Sequence, residues 1–289
     1  GGRVNLIGEH VDYPDVQFGG EPVVHLFSMG GAIQNNYLVA AGARSDGKVV
    51  ICHTAIGETF SVGLDELDEL EAKAVAEREA HVPMPKRSTP AWAFHTLGAV
   101  QELRRSGVQP AGFSLLLTSN VPHGAGMSNS AANCVALGLI FQRLFPTLGL
   151  EASIDLVTFA RKAENSRFAG GSCGWLDQLL IVCSHEAMLT KIDYADRSVE
   201  HFKSKLPTLW QFVALNTNVP HVLAESDYSH RVKELTLGIE FLSRLRDQNT
   251  GGPSLKLGTL NALLKAVDPN NPGHAPIDIA SIADGALSR

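Results

Sequence analysis

The 289-residue sequence lacks any apolar run near the roughly 18 residues that a membrane-spanning helix requires. Its longest apolar stretches, around Ala131–Phe141 and Leu179–Cys183, have lengths that suit a buried core. An excess of basic residues is also missing, because 24 Lys and Arg stand against 30 Asp and Glu, for a formal charge of −6. This balance argues against a surface built for nucleic acid or for an anionic membrane. We therefore expect neither nucleic acid nor a membrane among the partners.

Cysteine is scarce, and its four occurrences form neither a CxxC pair nor a disulfide-dense pattern. This usage suits a reducing compartment, most simply the cytoplasm. Apolar residues make up 44% of the chain, which is enough for a substantial core and excludes a wholly disordered protein. The chain opens with Gly1 and Gly2 in place of Met, and we expect a fragment or a processed chain.

Strand and helix patterns mix along the chain without the regular alternation of a doubly wound sheet, and this favours an α+β fold. Tyr37–Ala43 and Lys48–Thr54 are short apolar runs separated by a polar turn that ends in glycine, a pattern typical of a β-hairpin. Ala91–Arg105 and Ser153–Phe168 show helical periodicity. Gly112–Thr118, between them, is typical of a buried strand.

The first segment with candidate chemistry is Gly2–Tyr13, in which polar and ionisable side chains crowd together. Carboxylate and imidazole groups suit a polyol, because each carboxylate accepts hydrogen bonds from two hydroxyl groups and fixes their directions. The candidate side chains are Arg3, Asn5, Glu9, His10, Asp12 and Tyr13. The alternative is an exposed polar turn that follows a short strand.

The second segment, Ser119–Ala132, places glycines and small polar residues between a strand and a helix. Gly124 and Gly126 would let backbone N–H groups approach an anion, and the N-terminus of the helix adds a positive dipole. Ser128 and Ser130 would donate to phosphate oxygens, or one of their hydroxyl groups would bind Mg²⁺. We therefore predict a phosphate-binding loop, with an ordinary glycine-rich turn and serine cap as the alternative.

A hydrolase is the rival hypothesis for the same residues. The run from Gly126 to Ser130 nearly matches the G-x-S-x-G nucleophile elbow, with Ser128 as the nucleophile. Ser130 occupies the position where the tight crossing from strand to helix needs glycine, and this counts against a hydrolase.

The third segment, Glu164–Gln178, brings a carboxylate among apolar residues. Asp177 follows a glycine-rich stretch beside Trp175 and several leucines, so that its carboxylate would be partly desolvated and would need a cation, for which Arg3 is the candidate. Such a carboxylate suits the orientation or abstraction of a hydroxyl proton, and a helix-capping aspartate is the alternative. Glu164 lies next to the buried face of its helix and would point inward.

Taken in order, these segments and a fourth at residues 216–228 resemble the galactokinase branch of the GHMP small-molecule kinases. GRVNLIGEHVDY is similar to the N-terminal signature, with Val11 where Thr is usual, and SNVPHGAGMSNSAA resembles the phosphate loop P-x-G-x-G-L-S-S-S-A, with Met127 for Leu and Asn129 for the middle Ser. GGSCGWLDQ is similar to the catalytic C-G-x-M-D-Q segment, with Leu176 for Met. NTNVPHVLAESDY resembles a sugar-binding stretch of the form N-S-x-V-x-H-x-L-A-x-S-x-Y.

The resemblance implies a two-lobed α+β kinase with its active site between the lobes. Residues 1–190 would form an N-terminal lobe like domain 2 of ribosomal protein S5, and residues 191–289 would form a partial C-terminal lobe. The family's third motif, G-G-G-F-G-G, does not occur in the sequence.

The same resemblance implies transfer of a phosphoryl group from ATP, with Mg²⁺, to the C1 hydroxyl of galactose. Asp177 would orient or deprotonate that hydroxyl, while Arg3 would hold Asp177 ionised and stabilise charge on the transferring group. Galactose would be bound by Glu9, His10, Asp12, Cys173, Gly174 and Tyr228. The phosphates of ATP would be bound by Gly124, Gly126, Ser128, Asn129 and Ser130. Mg²⁺ would be bound by Ser130 and Glu164.

Two alternatives remain within this resemblance. N-acetylgalactosamine or galacturonate would replace galactose in close relatives, and a non-catalytic sensor of sugar and ATP fits Asn129 and the missing third motif. The stretch from Glu164 to Asp177 is one residue longer than the family pattern, at Arg167, which puts the metal role of Glu164 in question. The sequence gives no oligomeric state.

Overall fold

The computed structural model describes residues 1–9, 11–12, 26–194, 198–203, 205 and 212–215. The strands are β1 (Arg3–Ile7), β2 (Phe27–Ala32), β3 (Tyr37–Ala43), β4 (Lys48–His53), β5 (Glu58–Gly63), β6 (Phe113–Ser119), β7 (Met188–Asp193) and β8 (Val199–Lys203). The α-helices are α1 (Leu67–Glu79), α2 (Phe94–Arg105), α3 (Asn129–Leu144), α4 (Ser153–Glu164) and α5 (Leu176–Cys183). Sheets and helices are segregated rather than alternating, which confirms the predicted α+β class.

The described strands form two four-stranded sheets. The first has the order β1-β2-β7-β8 and is antiparallel throughout. The second has the order β3-β6-β4-β5, in which β6 runs antiparallel to β3 and parallel to β4. Both sheets therefore contain strands that are far apart in sequence.

The predicted hairpin of β3 and β4 is wrong, although both strands exist. β6 lies between them and pairs with each, so β3 and β4 are not neighbours. The connecting turn crosses the beginning of β6. There the Arg44 N–H donates to the Gly112 carbonyl and the Gly47 N–H donates to the Ala111 carbonyl, both at 2.9 Å. A short polar turn between two apolar runs predicted the strands correctly but carried no information about the strand inserted between them.

The larger core lies between the second sheet and helices α2, α3 and α4. In β4, Val49 and Ile51 are fully buried and alternate with partly exposed residues, as a strand with one covered face requires. Phe141 of α3 contacts the rings of Phe113 and Phe159 edge to face, with centroid distances of 5.4 and 6.4 Å. These rings join the sheet to two of the helices.

Helix α5 lies between the helices of the larger core and the first sheet. It packs against α3 and α4 on one side and against β1, β2 and β7 on the other. Leu180, within this helix, is fully buried in a second core cluster with Ile192 of β7. This position brings the first turn of α5 next to β1 and to the start of α3.

The predicted lobe boundary after residue 190 falls inside β7, whose sheet continues to β8. Most of the chain beyond lies outside the described residues, so the division into two lobes stays a prediction. All four cysteines are unpaired, and the cytoplasmic location also stays a prediction. Among the described helices, none combines the length and the apolar character needed to cross a membrane.

Candidate active site

An ion pair joins the first strand to the fifth helix. Arg3 on β1 donates from Nε to Oδ1 of Asp177 at 2.7 Å, and its Nη2 lies 2.6 Å from the same oxygen. The two side chains are only 16% and 22% exposed. The structure thus brings together two residues that are 174 positions apart, as the resemblance predicts.

The phosphate loop lies directly against this pair. It runs from the end of β6 to the start of α3, and Gly124 and Gly126 adopt positive φ angles of 66° and 71° there. Nη1 of Arg3 donates to the Gly126 carbonyl at 2.6 Å, and Ser128 donates from its hydroxyl to Oδ2 of Asp177 at 2.5 Å. The loop, the guanidinium and the carboxylate therefore form one connected group.

The side chain of Asn129 makes its hydrogen bonds within this loop. Its side-chain amide donates to the Val121 carbonyl at 2.9 Å and to the Ser119 hydroxyl at 3.3 Å. The amide is therefore engaged within the loop, and a contact with phosphate would come from the backbone N–H of Asn129. That contact stays a prediction.

Ser130 and Glu164 lie together as the metal prediction requires. The Ser130 hydroxyl donates to Oε1 of Glu164 at 2.6 Å, and Nε2 of Gln178 donates to the other carboxylate oxygen at 2.5 Å. Burial, together with the nearby carboxylate of Asp177, raises the pKa of Glu164 to about 7. Arg167, where the sequence is one residue longer than the family pattern, lies in the turn that follows α4.

This turn is held from outside the site by α1. Arg78 donates to the carbonyl oxygens of Arg167 at 2.7 Å and Phe168 at 3.1 Å. These two bonds join the turn after Glu164 to α1.

The donor set fits Mg²⁺ held jointly with a phosphate. Within the part of the chain that the structure describes, no cluster of three or more His, Cys, Asp or Glu residues would hold a metal by itself. Mg²⁺ commonly takes one or two carboxylates from the protein and completes its shell with phosphate oxygens and water. The Ser130 hydroxyl at the start of α3 and the buried Glu164 carboxylate at the end of α4 match this mode of binding.

Asp12 and Gly174, predicted to bind the sugar, contact each other. Asp12 is 7% exposed, and its Oδ2 accepts the Leu176 N–H at 3.0 Å, at the first residue of α5. Burial is the main cause that raises the pKa of Asp12. One carboxylate oxygen of Asp12 therefore caps the start of α5.

The remaining predicted sugar-binding residues differ in their exposure and contacts. Glu9 is exposed and accepts from Nδ2 of Asn5 at 2.9 Å. The Cys173 thiol is buried 3.6 Å from Nε2 of Gln178, and burial raises the pKa of this thiol well above its usual value. His10 and Tyr228 lie outside the described residues.

Sequence reasoning missed Asn165. Its Oδ1 accepts the Cys173 N–H at 2.8 Å, and its Nδ2 donates to the Cys173 carbonyl at 2.9 Å. This paired contact fixes the backbone of the glycine-rich segment. The helical pattern extends to Phe168, whereas α4 ends at Glu164, so Asn165 lies inside the predicted helix and no sequence signal points to this role.

The structure gives no support to the hydrolase hypothesis. The Ser128 hydroxyl donates to a carboxylate rather than to an imidazole. The described residues therefore provide no serine–histidine pair at this position, which a triad would need.

The fold and the site combine a glycine-containing loop at the N-terminus of a helix with an adjacent Arg–Asp pair, an arrangement whose chemistry suits phosphate. Residues 95–185, which span α2 to α5, match the family model for the GHMP kinases N terminal domain. The chain thus contains the N-terminal domain of the GHMP kinases, and the predicted family and fold are confirmed.

The curated relatives that it resembles are galactokinases. The galactokinase of Haemophilus influenzae (strain PittEE) is 32% identical over 249 residues, which cover 85% of this chain and 56% of the relative. The galactokinase of Staphylococcus carnosus is 29% identical over 252 residues, which cover 87% and 58%. The chain thus spans little more than half the length of these relatives.

A solved structure supports the same fold. The crystal structure of Lactococcus lactis galactokinase complexed with galactose superposes with a TM-score of 0.62 at 22% identity. The match covers 92% of this chain and 63% of that one.

Proposed function

We propose that the protein containing this chain is a sugar kinase that transfers the γ-phosphoryl group of ATP to the C1 hydroxyl of galactose. The observation that carries the proposal is the contact of Arg3 with both the Asp177 carboxylate and the Gly126 carbonyl of the phosphate loop. This contact places a candidate base and a positive charge beside a loop suited to phosphate. The similarity to galactokinases supports galactose as the sugar.

Asp177 would accept a hydrogen bond from the sugar hydroxyl and take its proton as the bond to phosphorus forms. Arg3 would keep the carboxylate oriented and would stabilise the negative charge on the transferring group. The side chains are only partly exposed, and the attraction between opposite charges is stronger there than in bulk water.

The other predicted residues would hold the two substrates in line. Galactose would be bound by Glu9, His10, Asp12, Cys173, Gly174 and Tyr228. The phosphates would be bound by Gly124, Gly126, Ser128, Asn129 and Ser130. Mg²⁺, bound by Ser130 and Glu164 together with the phosphates, would neutralise part of their charge. Catalysis would then rest on positioning and electrostatics.

Replacement of one carboxylate oxygen tests the proposal. Asp177→Asn keeps the size of the side chain but removes the base, and we expect galactose-dependent ADP release to fall by about 10²- to 10⁴-fold. The control is Asp155→Asn, an exposed carboxylate in the first turn of α4, which should leave the rate unchanged. A normal rate in Asp177→Asn would remove the assignment of the base.

Choice of sugar and turnover are tested with the wild-type protein. We expect ADP release with galactose and less with N-acetylgalactosamine or galacturonate. Calorimetry should show binding of galactose and ATP in the same preparation. Binding without ADP release would contradict the kinase and support a sensor.

A further inference from the structure

Ser128 has an unusual conformation at the point where the phosphate loop meets α3. Its φ and ψ angles of 55° and 48° lie in the left-handed region, which residues other than glycine seldom adopt. Strained backbone of this kind concentrates at functional sites, where surrounding contacts maintain it. The contacts of Ser128 therefore indicate what the strain serves.

The hydroxyl of Ser128 does not cap the helix that it precedes. A serine at this position usually accepts an N–H bond from the first turn, but Ser128 makes no such side-chain bond with α3. It donates instead to Oδ2 of Asp177, 49 residues away, at 2.5 Å. A short hydrogen bond from a hydroxyl to a carboxylate is charge-assisted, and the 8% exposure of Ser128 leaves little competition from water.

We infer that Ser128 is a positioning residue that fixes the Asp177 carboxylate, and this inference rests on the proposed function. Arg3 binds Oδ1 and Ser128 binds Oδ2, so the two contacts together set the plane of the carboxylate. Each carboxylate oxygen accepts two hydrogen bonds, and Oδ2 thus keeps a lone pair for a substrate hydroxyl. The Ser128 hydroxyl thus acts on the reaction through Asp177, and the phosphate contact proposed for Ser128 would come from its backbone N–H.

Two substitutions separate the hydroxyl from the backbone strain. Ser128→Gly removes the hydroxyl and relieves the positive φ, whereas Ser128→Ala removes the hydroxyl and keeps the strain. In the full chain we expect both variants to lose about 10- to 100-fold in kcat, with the KM for ATP changed less than twofold. Ser61→Ala, at an exposed serine of β5, is the control and should behave as the wild type.

Kinetics can overturn the inference in two ways. A raised KM for ATP with an unchanged kcat would mean that Ser128 contacts the phosphates. A wild-type kcat in Ser128→Gly would mean that the hydroxyl has no role. Because glycine suits this backbone conformation, the Gly variant stays informative even where the Ala variant fails to fold.

A crystal structure of Ser128→Gly gives a readout that does not depend on turnover. We expect the Asp177 carboxylate to rotate or to occupy two positions while its contact with Arg3 is retained. A carboxylate in the wild-type position at full occupancy would overturn the inference. If the wild-type protein releases no ADP with galactose, the proposed function fails, and this crystallographic comparison still decides the role of Ser128.

Discussion

Gly174 is required by the space around it. A Cβ atom at this position would overlap the carbonyl oxygen and the carboxylate of Asp12. The same carboxylate accepts the first N–H of α5 from Leu176, so the close approach joins the N-terminal segment to the helix that carries Asp177. The resemblance predicts both residues as sugar ligands, and the structure shows that they are packed on each other.

Gly174→Ala should therefore damage the site and the fold together. We expect the free energy of unfolding, measured by urea denaturation, to fall by about 1–3 kcal/mol, because a methyl group must displace backbone. The KM for galactose should rise as residues 11–12 move. Gly42→Ala is the matched control, since no atom lies within 4 Å of the added methyl. Equal losses in the two variants would contradict this account.

At the scale of elements, the end of α4 controls the segment that leads into α5. Asn165 binds both the N–H and the carbonyl of Cys173. One turn earlier, Arg161 donates from Nε to the same carbonyl at 3.3 Å, and its guanidinium lies 4.6 Å from the centre of the Trp175 ring. The helix thus fixes the backbone immediately before Asp177 through polar contacts.

Asn165→Leu removes the amide that binds both the N–H and the carbonyl of Cys173, without a large change in volume. We expect a loss of about 1–3 kcal/mol in the free energy of unfolding, since the partly buried N–H loses its partner while the carbonyl keeps only the longer bond from Arg161. Thr158→Ala on the same helix is the control, because the Thr158 hydroxyl donates to the Ile154 carbonyl within α4. If the denaturation curves of the two variants coincide, the contacts of Asn165 with Cys173 contribute nothing to stability.

At the scale of the whole molecule, periodicity predicted elements better than their pairing. Short apolar runs predicted β3, β4 and β6, and helical periodicity predicted α4. The neighbour of β3 is β6, about 75 residues later, and a local pattern of apolar residues contains no information about such a partner. Pairing is decided by the packing of all the elements.

The candidate site divides in the same way. The Arg3–Asp177 pair could be anticipated because a family resemblance carries information about distant contacts. The bond from Ser128 to Asp177 could not, because a serine before a helix is ordinarily a cap. The two bonds between Asn165 and the Cys173 backbone could not be predicted for a similar reason. Side chains with a common local role gave no sign of an uncommon tertiary one.

The stability of the whole domain should depend on pH through His95 of α2. Burial, with a smaller effect of nearby His123, lowers the pKa of His95 to about 4, whereas an imidazole in an unfolded chain has a pKa of about 6.5. The unfolded state therefore binds the proton more tightly, and stability is lost as the pH falls from about 6.5 towards 4. Between pH 7 and pH 5 this one group removes about 2 kcal/mol.

His95→Gln should accordingly reduce the difference between the free energies of unfolding at pH 7 and pH 5 by about 2 kcal/mol, as measured by chemical denaturation. The control is His81→Asn, because His81 is exposed and its φ of 54° is one that asparagine tolerates. This control should keep the pH dependence of the wild type. If His95→Gln instead loses as much stability on acidification as the wild type does, the proton must be taken up elsewhere. The imidazole on α2 would then not be the group that couples folding to pH.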